Sequence, residues 1–215
     1  MIIAIDGPSA SGKSTTAKGV SERLNFTHLD TGAMYRAVTL GLSNENISLN
    51  DNKLIIQFLD SIKIYFDEKN CVWLNGKDVS QEIRTVDISS KVSMVSANII
   101  VRKKMVIIQR LIASDTNCVL EGRDIGSVVF PNADYKFFLD ADIQIRAQRR
   151  FEELKKNDVS ITMAEIISSI KKRDELDSTR EHSPLLKAKD AINIDTTHIT
   201  INEQIEKIVA IVNNK

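Results

Sequence analysis

The sequence is short of several things, and each shortage excludes something. It has only two cysteines in 215 residues, Cys71 and Cys118. They have no metal-like spacing, and Cys118 sits in an apolar, strand-like run. Both are expected to be small buried residues in a reducing compartment, which argues against a fold built on disulfides. Charge of either sign is not in surplus: 29 basic side chains balance 29 acidic ones. A zero balance argues against a nucleic-acid or membrane surface as the main partner. No apolar run approaches the roughly 20 residues of a membrane-spanning helix. The chain also opens directly in what reads as a core strand, leaving no room for a signal peptide, so the expectation is a soluble, cytoplasmic protein. Three prolines and eight glycines form no linker, and no repeat or low-complexity tract is visible. A chain of this length suits one α/β domain with an insertion.

What is present begins at the first residue. Met1-Ile-Ile-Ala-Ile-Asp6 reads as a buried strand and runs into Gly7-Pro8-Ser9-Ala10-Ser11-Gly12-Lys13-Ser14-Thr15. A helical stretch follows, with Ala17, Val20 and Leu24 on one face. Strand, G-x-x-x-x-G-K-S loop and helix together make a P-loop. Gly7 and Gly12 let consecutive N–H groups turn inward around a phosphate. Lys13 brings a charge to the β- and γ-phosphates and is expected to be exposed to ligand rather than packed. The Ser14 hydroxyl suits Mg²⁺, and the helix N-terminus favours the anion. These residues point to a bound nucleoside triphosphate, with ATP and Mg²⁺ as the expected pair.

The rest of the chain alternates as doubly wound α/β proteins do. Strands are expected at Ile2–Asp6, Thr27–Leu29, Cys118–Glu121, Lys136–Asp140 and Ala191–Asp195. Helical spacing recurs in Ile143, Ala147, Phe151 and Leu154, in Met163, Ile166, Ile167 and Ile170, and in Ile205, Ile208, Val209 and Val212. Residues 61–79 differ: alternation in Ile62–Phe66, a turn at Asp67–Asn70, Cys71–Leu74, then the hairpin pair Asn75-Gly76. This predicts a small antiparallel meander led in by a helix over Asp51–Asp60.

Neither D-x-x-G nor N-K-x-D occurs, and no L-S-G-G-Q-like segment is present. A guanine-nucleotide switch and an ABC-type ATPase are therefore disfavoured. Arginines instead stand at element ends: Arg36, Arg102, Arg123, Arg173 and Arg180, with Arg146, Arg149 and Arg150 on one helix face. Ligands of such folds gather at the carboxyl ends of strands. Phosphoryl transfer asks chiefly for positioning and charge neutralisation, which planar guanidinium groups supply. The pattern suits a kinase of a small anionic acceptor. The histidines His28, His182 and His198 are scattered and read as surface or structural residues. The lack of a general base does not count against a loose phosphoryl transfer.

Four segments carry a family likeness. Asp30-Thr-Gly-Ala-Met-Tyr35-Arg36, Val79–Arg84, Glu121-Gly-Arg-Asp-Ile-Gly126 with Val128–Pro131, and Arg173-Asp-Glu-Leu-Asp177-Ser-Thr-Arg180 resemble the signature segments of bacterial cytidylate kinases in order and spacing. The resemblance spans essentially the whole chain. It implies transfer of the ATP γ-phosphate to CMP or dCMP by a monomer. It also implies a P-loop kinase fold, with a central parallel sheet flanked by helices, a small antiparallel insertion and an arginine-rich lid. The implied division is a core of residues 1–42, 86–145 and 184–215, an insert of 43–85 and a lid of 146–183.

Roles follow from the resemblance position by position. Thr31, Tyr35 and Arg36 are assigned to the nucleoside monophosphate, with Arg36 on its phosphate; by its own chemistry Thr31 also reads as a helix N-cap. Ser93 and Arg102 resemble a base-reading pair, although residue type alone makes Ser93 a surface serine. Arg123 is assigned to the acceptor phosphate and Asp124 to cytosine, whose exocyclic amino group a carboxylate can accept, while Arg102 suits the ring acceptors. A structural Arg–Asp pair is the other reading of Asp124. Arg173 and Asp177 resemble ribose partners, and Arg180 a second phosphate clamp in a polar stretch, Asp174–Ser183, that reads as an exposed loop. Glu121 stands where the family pattern carries Asp. Two rivals remain: a kinase of another small acceptor, such as UMP or a cofactor precursor, and a nucleotide-gated regulator that does not turn over.

Overall fold

A computed structural model describes residues 1–155 and 161–214 of the chain. The expected lid segment 146–183 therefore includes five positions, 156–160, that lie outside the described residues. The chain divides into two compact units, one of Met1–Leu29 with Asp115–Lys215 and one of Asp30–Ser114.

The first unit holds β1 (Ile2–Asp6), α1 (Lys13–Leu24) and β2 (Thr27–Asp30), the last ending on the boundary. After Asp115 come β6 (Cys118–Gly122), a π turn at Ile125–Val129, β7 (Tyr135–Asp140), α6 (Ile143–Lys155), α7 (Met163–Thr179), β8 (Ile192–Asp195) and α8 (Ile201–Asn213). The sheet order is β2-β6-β1-β7-β8. β1 runs parallel to β6 and β7, and β7 parallel to β8. The central strands carry continuous apolar runs because both faces are covered: Ile3, Ala4 and Ile5 of β1 and Cys118, Val119 and Leu120 of β6 are fully buried.

The apolar faces read from the sequence meet in two clusters. Ala17 and Val20 of α1 pack with Ile205, Ile208 and Val212 of α8 over Ile3, Ile5, Phe137 and Leu139. Each such aliphatic side chain contributes about 1.5–3 kcal/mol on burial. A second cluster joins α6 to α7 through Ala147, Ile166 and Ile170. Helices α7 and α8 each start in a capping box, Thr162 with Glu165 and Thr200 with Glu203. There the hydroxyl and the carboxylate satisfy end N–H groups reciprocally.

The second unit holds α2 (Thr31–Asn44), α3 (Asn52–Ser61), β3 (Ile64–Phe66), β4 (Val72–Leu74), β5 (Lys77–Asp78), a 3₁₀ turn at Glu82–Arg84, α4 (Val86–Ala97) and α5 (Ile99–Ile112). The three short strands pair antiparallel in the order β3-β4-β5, as the alternating stretch predicts. Asn75 and Gly76 both take positive φ, 51° and 82°, the geometry of a tight hairpin whose twist matches its strands. The Asp67 carboxylate organises the other turn, accepting from the N–H groups of Lys69 and Cys71 and from Trp73 Nε1. Cys118 is buried as expected, but Cys71 at this turn is only partly so, because it lies just before a strand of a small, half-exposed sheet. No helix among the described residues is long and apolar enough to cross a membrane.

Candidate active site

The P-loop excludes other residues at two positions, one by close contact and one by backbone conformation. A Cβ on Gly7 would stand 2.2 Å from the Leu139 carbonyl oxygen, and Gly12 has φ +90°. Gly12 also caps α1 without a side-chain hydrogen bond, so the first N–H groups of the helix point out of its end. Two arginines of α6 hold the loop by its main chain. Arg146 Nη1 donates to Ser9 O at 3.1 Å and Arg149 Nη1 to Ser11 O at 3.3 Å. Arg146 also pairs with Asp174 of α7, whose other oxygen accepts from Ser9 N at 2.9 Å. Arg149 is fixed in turn by the Thr196 hydroxyl and carbonyl. Arg150, the third arginine of that face, turns to Glu153 on its own helix.

Lys13 lies inside this loop, buried and donating from Nζ to Pro8 O at 3.1 Å, where the sequence suggested a side chain exposed to ligand. Burial and the neighbouring Arg123 lower its pKa to about 7. Glu121 and Asp177 oppose that shift, and a phosphate at the loop would oppose it further. The next residue, Ser14, is exposed and gives its hydroxyl hydrogen to Glu121 Oε2. A hydroxyl that donates to a carboxylate keeps its lone pairs for a cation, so this donor set fits Mg²⁺, a hard ion that takes oxygen ligands. Burial pushes the Glu121 carboxyl up, but His28, Lys13 and the Ser14 hydroxyl outweigh it and hold it below the usual carboxylate range. His28 Nε2, reaching from β2, stands 3.3 Å from Glu121 Oε1. Among the described residues, no group of three or more His, Cys, Asp or Glu side chains is arranged to hold a metal.

At the ends of β6 and α7, arginines meet carboxylates. Arg123 Nε donates to Asp177 Oδ2 at 2.8 Å, and Arg180 Nη2 lies 3.5 Å from Asp124 Oδ1. Arg123, Arg173 and Arg180 together outweigh the burial of Asp177, whose pKa falls below the usual carboxylate value. Beneath this cluster Asp6, the last residue of β1, accepts from the N–H groups of Ile125 and Gly126, both at 2.8 Å. Burial nevertheless raises its pKa to about 6. The stretch read as an exposed loop is different in the structure: α7 runs on to Thr179 and buries Asp177, and the Arg180 side chain is only 5% exposed. The helix extends that far because Asp177 has cationic partners to satisfy it.

The second unit gathers the remaining candidates. Thr31 and Tyr35 are both buried in α2, one turn apart. The cap of that helix is Asp30, which accepts from Ala33 N, so the N-cap reading of Thr31 is displaced by one residue. Arg36 donates to Ser89 Oγ at 2.7 Å. Ser93 of α4 is buried rather than on the surface, because its face of the helix turns inward. Arg102 of α5 is 2% exposed, donates to Ser96 O at 3.0 Å and places its guanidinium carbon 5.5 Å from the centre of the Tyr35 ring, within range of a cation–π contact.

Comparison with known proteins agrees with this geometry. The cytidylate kinase family model matches residues 3–214. A cytidylate kinase of Caldanaerobacter subterraneus subsp. tengcongensis is 50% identical over 206 residues, covering 96% of this chain and 92% of that protein. One from Clostridioides difficile is 46% identical, covering 99% and 98%. The chain belongs to the cytidylate kinase family. A gluconokinase structure from Sinorhizobium meliloti 1021, at 12% identity and TM-score 0.51 over 99% of this chain and 91% of that one, shares the fold.

Local sequence pattern does not reveal the residues that hold others in place: it gives Asp6 only as the end of a strand, Asp174 as part of a loop and His28 as one of three scattered histidines. A carboxylate that ends a buried parallel strand was a usable signal for Asp6, since a buried charge requires partners. His28 gave no local signal, because its partner lies far along the chain.

Proposed function

We infer that the protein transfers the γ-phosphate of ATP to CMP or dCMP, giving ADP and CDP or dCDP, as a monomer acting on small molecules in the cytoplasm. The observation that carries this is the juxtaposition, within the first unit, of a complete P-loop with Lys13 and the pairs Arg123–Asp177 and Arg180–Asp124. In this reading Gly7 to Thr15 cradle the ATP phosphates, and Lys13 neutralises charge on the transferring group. Mg²⁺ bound at Ser14 supplies further charge neutralisation on the phosphates. Arg123 and Arg180 take the charge of the acceptor phosphate and transition state, and Arg173 and Asp177 hold the ribose. Asp124 accepts the cytosine amino hydrogen. Thr31, Tyr35, Arg36, Ser93 and Arg102 are the acceptor residues of the second unit. The segment 43–85, which contains the meander of 61–79, and the segment 146–183 are the insert and lid of the kinase plan.

Base choice tests the reading. Uracil presents an oxygen where cytosine presents an amino group, so UMP leaves the Asp124 carboxylate facing an acceptor. The cost is about 1–3 kcal/mol, or roughly 5- to 150-fold in preference. ADP release measured with CMP, dCMP, UMP, AMP and GMP is expected to favour the cytosine nucleotides. In Asp124→Asn the CMP/UMP ratio is expected to shrink, because the amide can turn to donate to uracil. An unchanged ratio in that variant would assign base reading to another residue, and no acceptor-dependent ADP release at all would leave the regulator as the better reading.

A further inference from the structure

We propose that His28 is a positioning residue for the metal side of the site, acting through Glu121 on Ser14. The inference rests on the reading of Ser14 as a Mg²⁺ contact. Three side chains from three elements form a line. His28 on β2 faces Oε1 of Glu121 on the adjacent strand β6, and Glu121 Oε2 accepts the Ser14 hydroxyl at the start of α1. The side chains of His28 and Glu121 are 10% and 3% exposed. Nε2 and Oε1 are both buried and stand 3.3 Å apart, and contact with His28 helps to hold the Glu121 carboxyl below its usual range.

The need for such a residue follows from the geometry of glutamate. Its terminal torsion is broad and roughly two-fold, so a carboxylate anchored through one oxygen pivots about that anchor. Contacts to both oxygens, from opposite sides, stop the pivot. With Oε1 held by His28, Oε2 stays on the Ser14 hydroxyl, whose hydrogen is thereby directed away from the metal side and whose lone pairs stay open. The charge of Lys13 also favours the Glu121 carboxylate. Outer residues of this kind tune metal affinity without touching the metal.

The test is the Mg²⁺-dependent part of nucleotide affinity. It is measured by calorimetry with ADP on the full chain, with Mg²⁺ and with EDTA, and needs no acceptor or turnover. Native protein is expected to bind ADP more tightly with Mg²⁺. His28→Phe fills similar space without a donor and is expected to lose about tenfold of that gain, the low end for an outer-shell partner, while affinity in EDTA stays unchanged. His28→Gln, with an amide N–H near the place of Nε2, is expected to recover most of it. His28→Asn is too short to reach and is expected not to, which decides the matter even if the Phe variant fails to fold. An undiminished Mg²⁺ gain in His28→Phe, or equal gains in the Gln and Asn variants, would overturn the role of His28 and leave the kinase reading intact. Absence of any Mg²⁺ gain in the native protein would overturn the Ser14 reading itself, and this inference with it.

Discussion

Two regions of the first unit give their arginines different partners beyond the nearest carbonyls. Around the P-loop, Arg146 and Arg149 bind main-chain oxygens of Ser9, Ser11 and Thr196, groups that a substrate cannot replace without remaking the loop. At the ends of β6 and α7, Arg123 and Arg180 also donate to the carbonyls of Gly122 and Ser183, but they lie against Asp177 and Asp124, side chains with proposed tasks of their own on ribose and base. A guanidinium held by main-chain carbonyls is part of the framework. One held by a carboxylate has a partner that can be exchanged for a phosphate, a hydroxyl or an amino group at modest cost. The first region is therefore expected to fail through shape, and the second through lost charge stabilisation with the shape kept.

The largest effect should come from the charge at the centre of the rigid region. Lys13→Ala is expected to lower kcat by at least ~100-fold, with a native circular dichroism spectrum. The ammonium is buried and its pKa lowered to about 7, so its removal does not subtract a favourable ion from the fold. Near-normal turnover in a folded Lys13→Ala protein would remove the P-loop from the chemistry. On the exchangeable side, Arg180→Ala and Arg180→Lys are both expected to lower kcat for CMP. The loss to Ala should be about tenfold or more, and Lys should recover only part because it lacks the planar fork. As the side chain is buried against Asp124, Arg180→Ala is also expected to cost about 1–3 kcal/mol in urea unfolding. A normal kcat with only a raised KM for CMP would make Arg180 a binding residue outside the transition state.

Arg146→Ala should sharpen the contrast. It removes the donor to Ser9 O and leaves Asp174 without that partner, so the loop loses its support while every proposed phosphate contact keeps its side chain. The expected outcome is a loss of about 1–3 kcal/mol of stability and a raised KM for ATP, with the KM for CMP little changed. A raised KM for CMP alone would place Arg146 with the exchangeable group instead.

How legible this was in the sequence depended on how far each signal had to travel. Buried parallel strands and amphipathic helices announce themselves within a dozen residues, and Ile2–Asp6 and the Ile205–Val212 face stand where local pattern puts them. Asn75-Gly76 needs only its own backbone angles. The P-loop was equally local. Burial of polar side chains was not: Ser93, Arg180 and Lys13 all read as exposed by residue type, and each is buried because partners or packing arrive from elsewhere in the chain. Asp174–Thr179 looked like a loop for the same reason. Its charges are neutralised by Arg146 and Arg123, residues that no window on that segment contains.

The smallest expected effect concerns what the exchangeable region stands on. Asp6 ends β1 and binds the N–H groups of Ile125 and Gly126, directly after Asp124, so the proposed base-reading carboxylate sits on a main-chain anchor of the rigid kind. Burial is the main reason that the Asp6 pKa rises from its usual 3.8 to about 6, with the nearby charge of Asp124 adding to it and the two amide hydrogen bonds opposing it. Because the folded state holds this proton more tightly than the unfolded chain, Asp6 favours folding fully below about pH 4. That contribution is lost as pH rises through about 6. A rise of this size corresponds to at most about 2–3 kcal/mol. Asp6→Asn does not titrate, so stability of the native protein minus that of the variant should fall between about pH 4 and 6 and level off above. The amide has one oxygen for two N–H groups, which shifts the whole difference curve without changing its slope. A flat curve would mean that Asp6 is no more burdened in the fold than in the unfolded chain. The two amide hydrogen bonds under Asp124 would then offset the burial of the carboxylate in full, and the anchor would stand in the fold at no cost in charge.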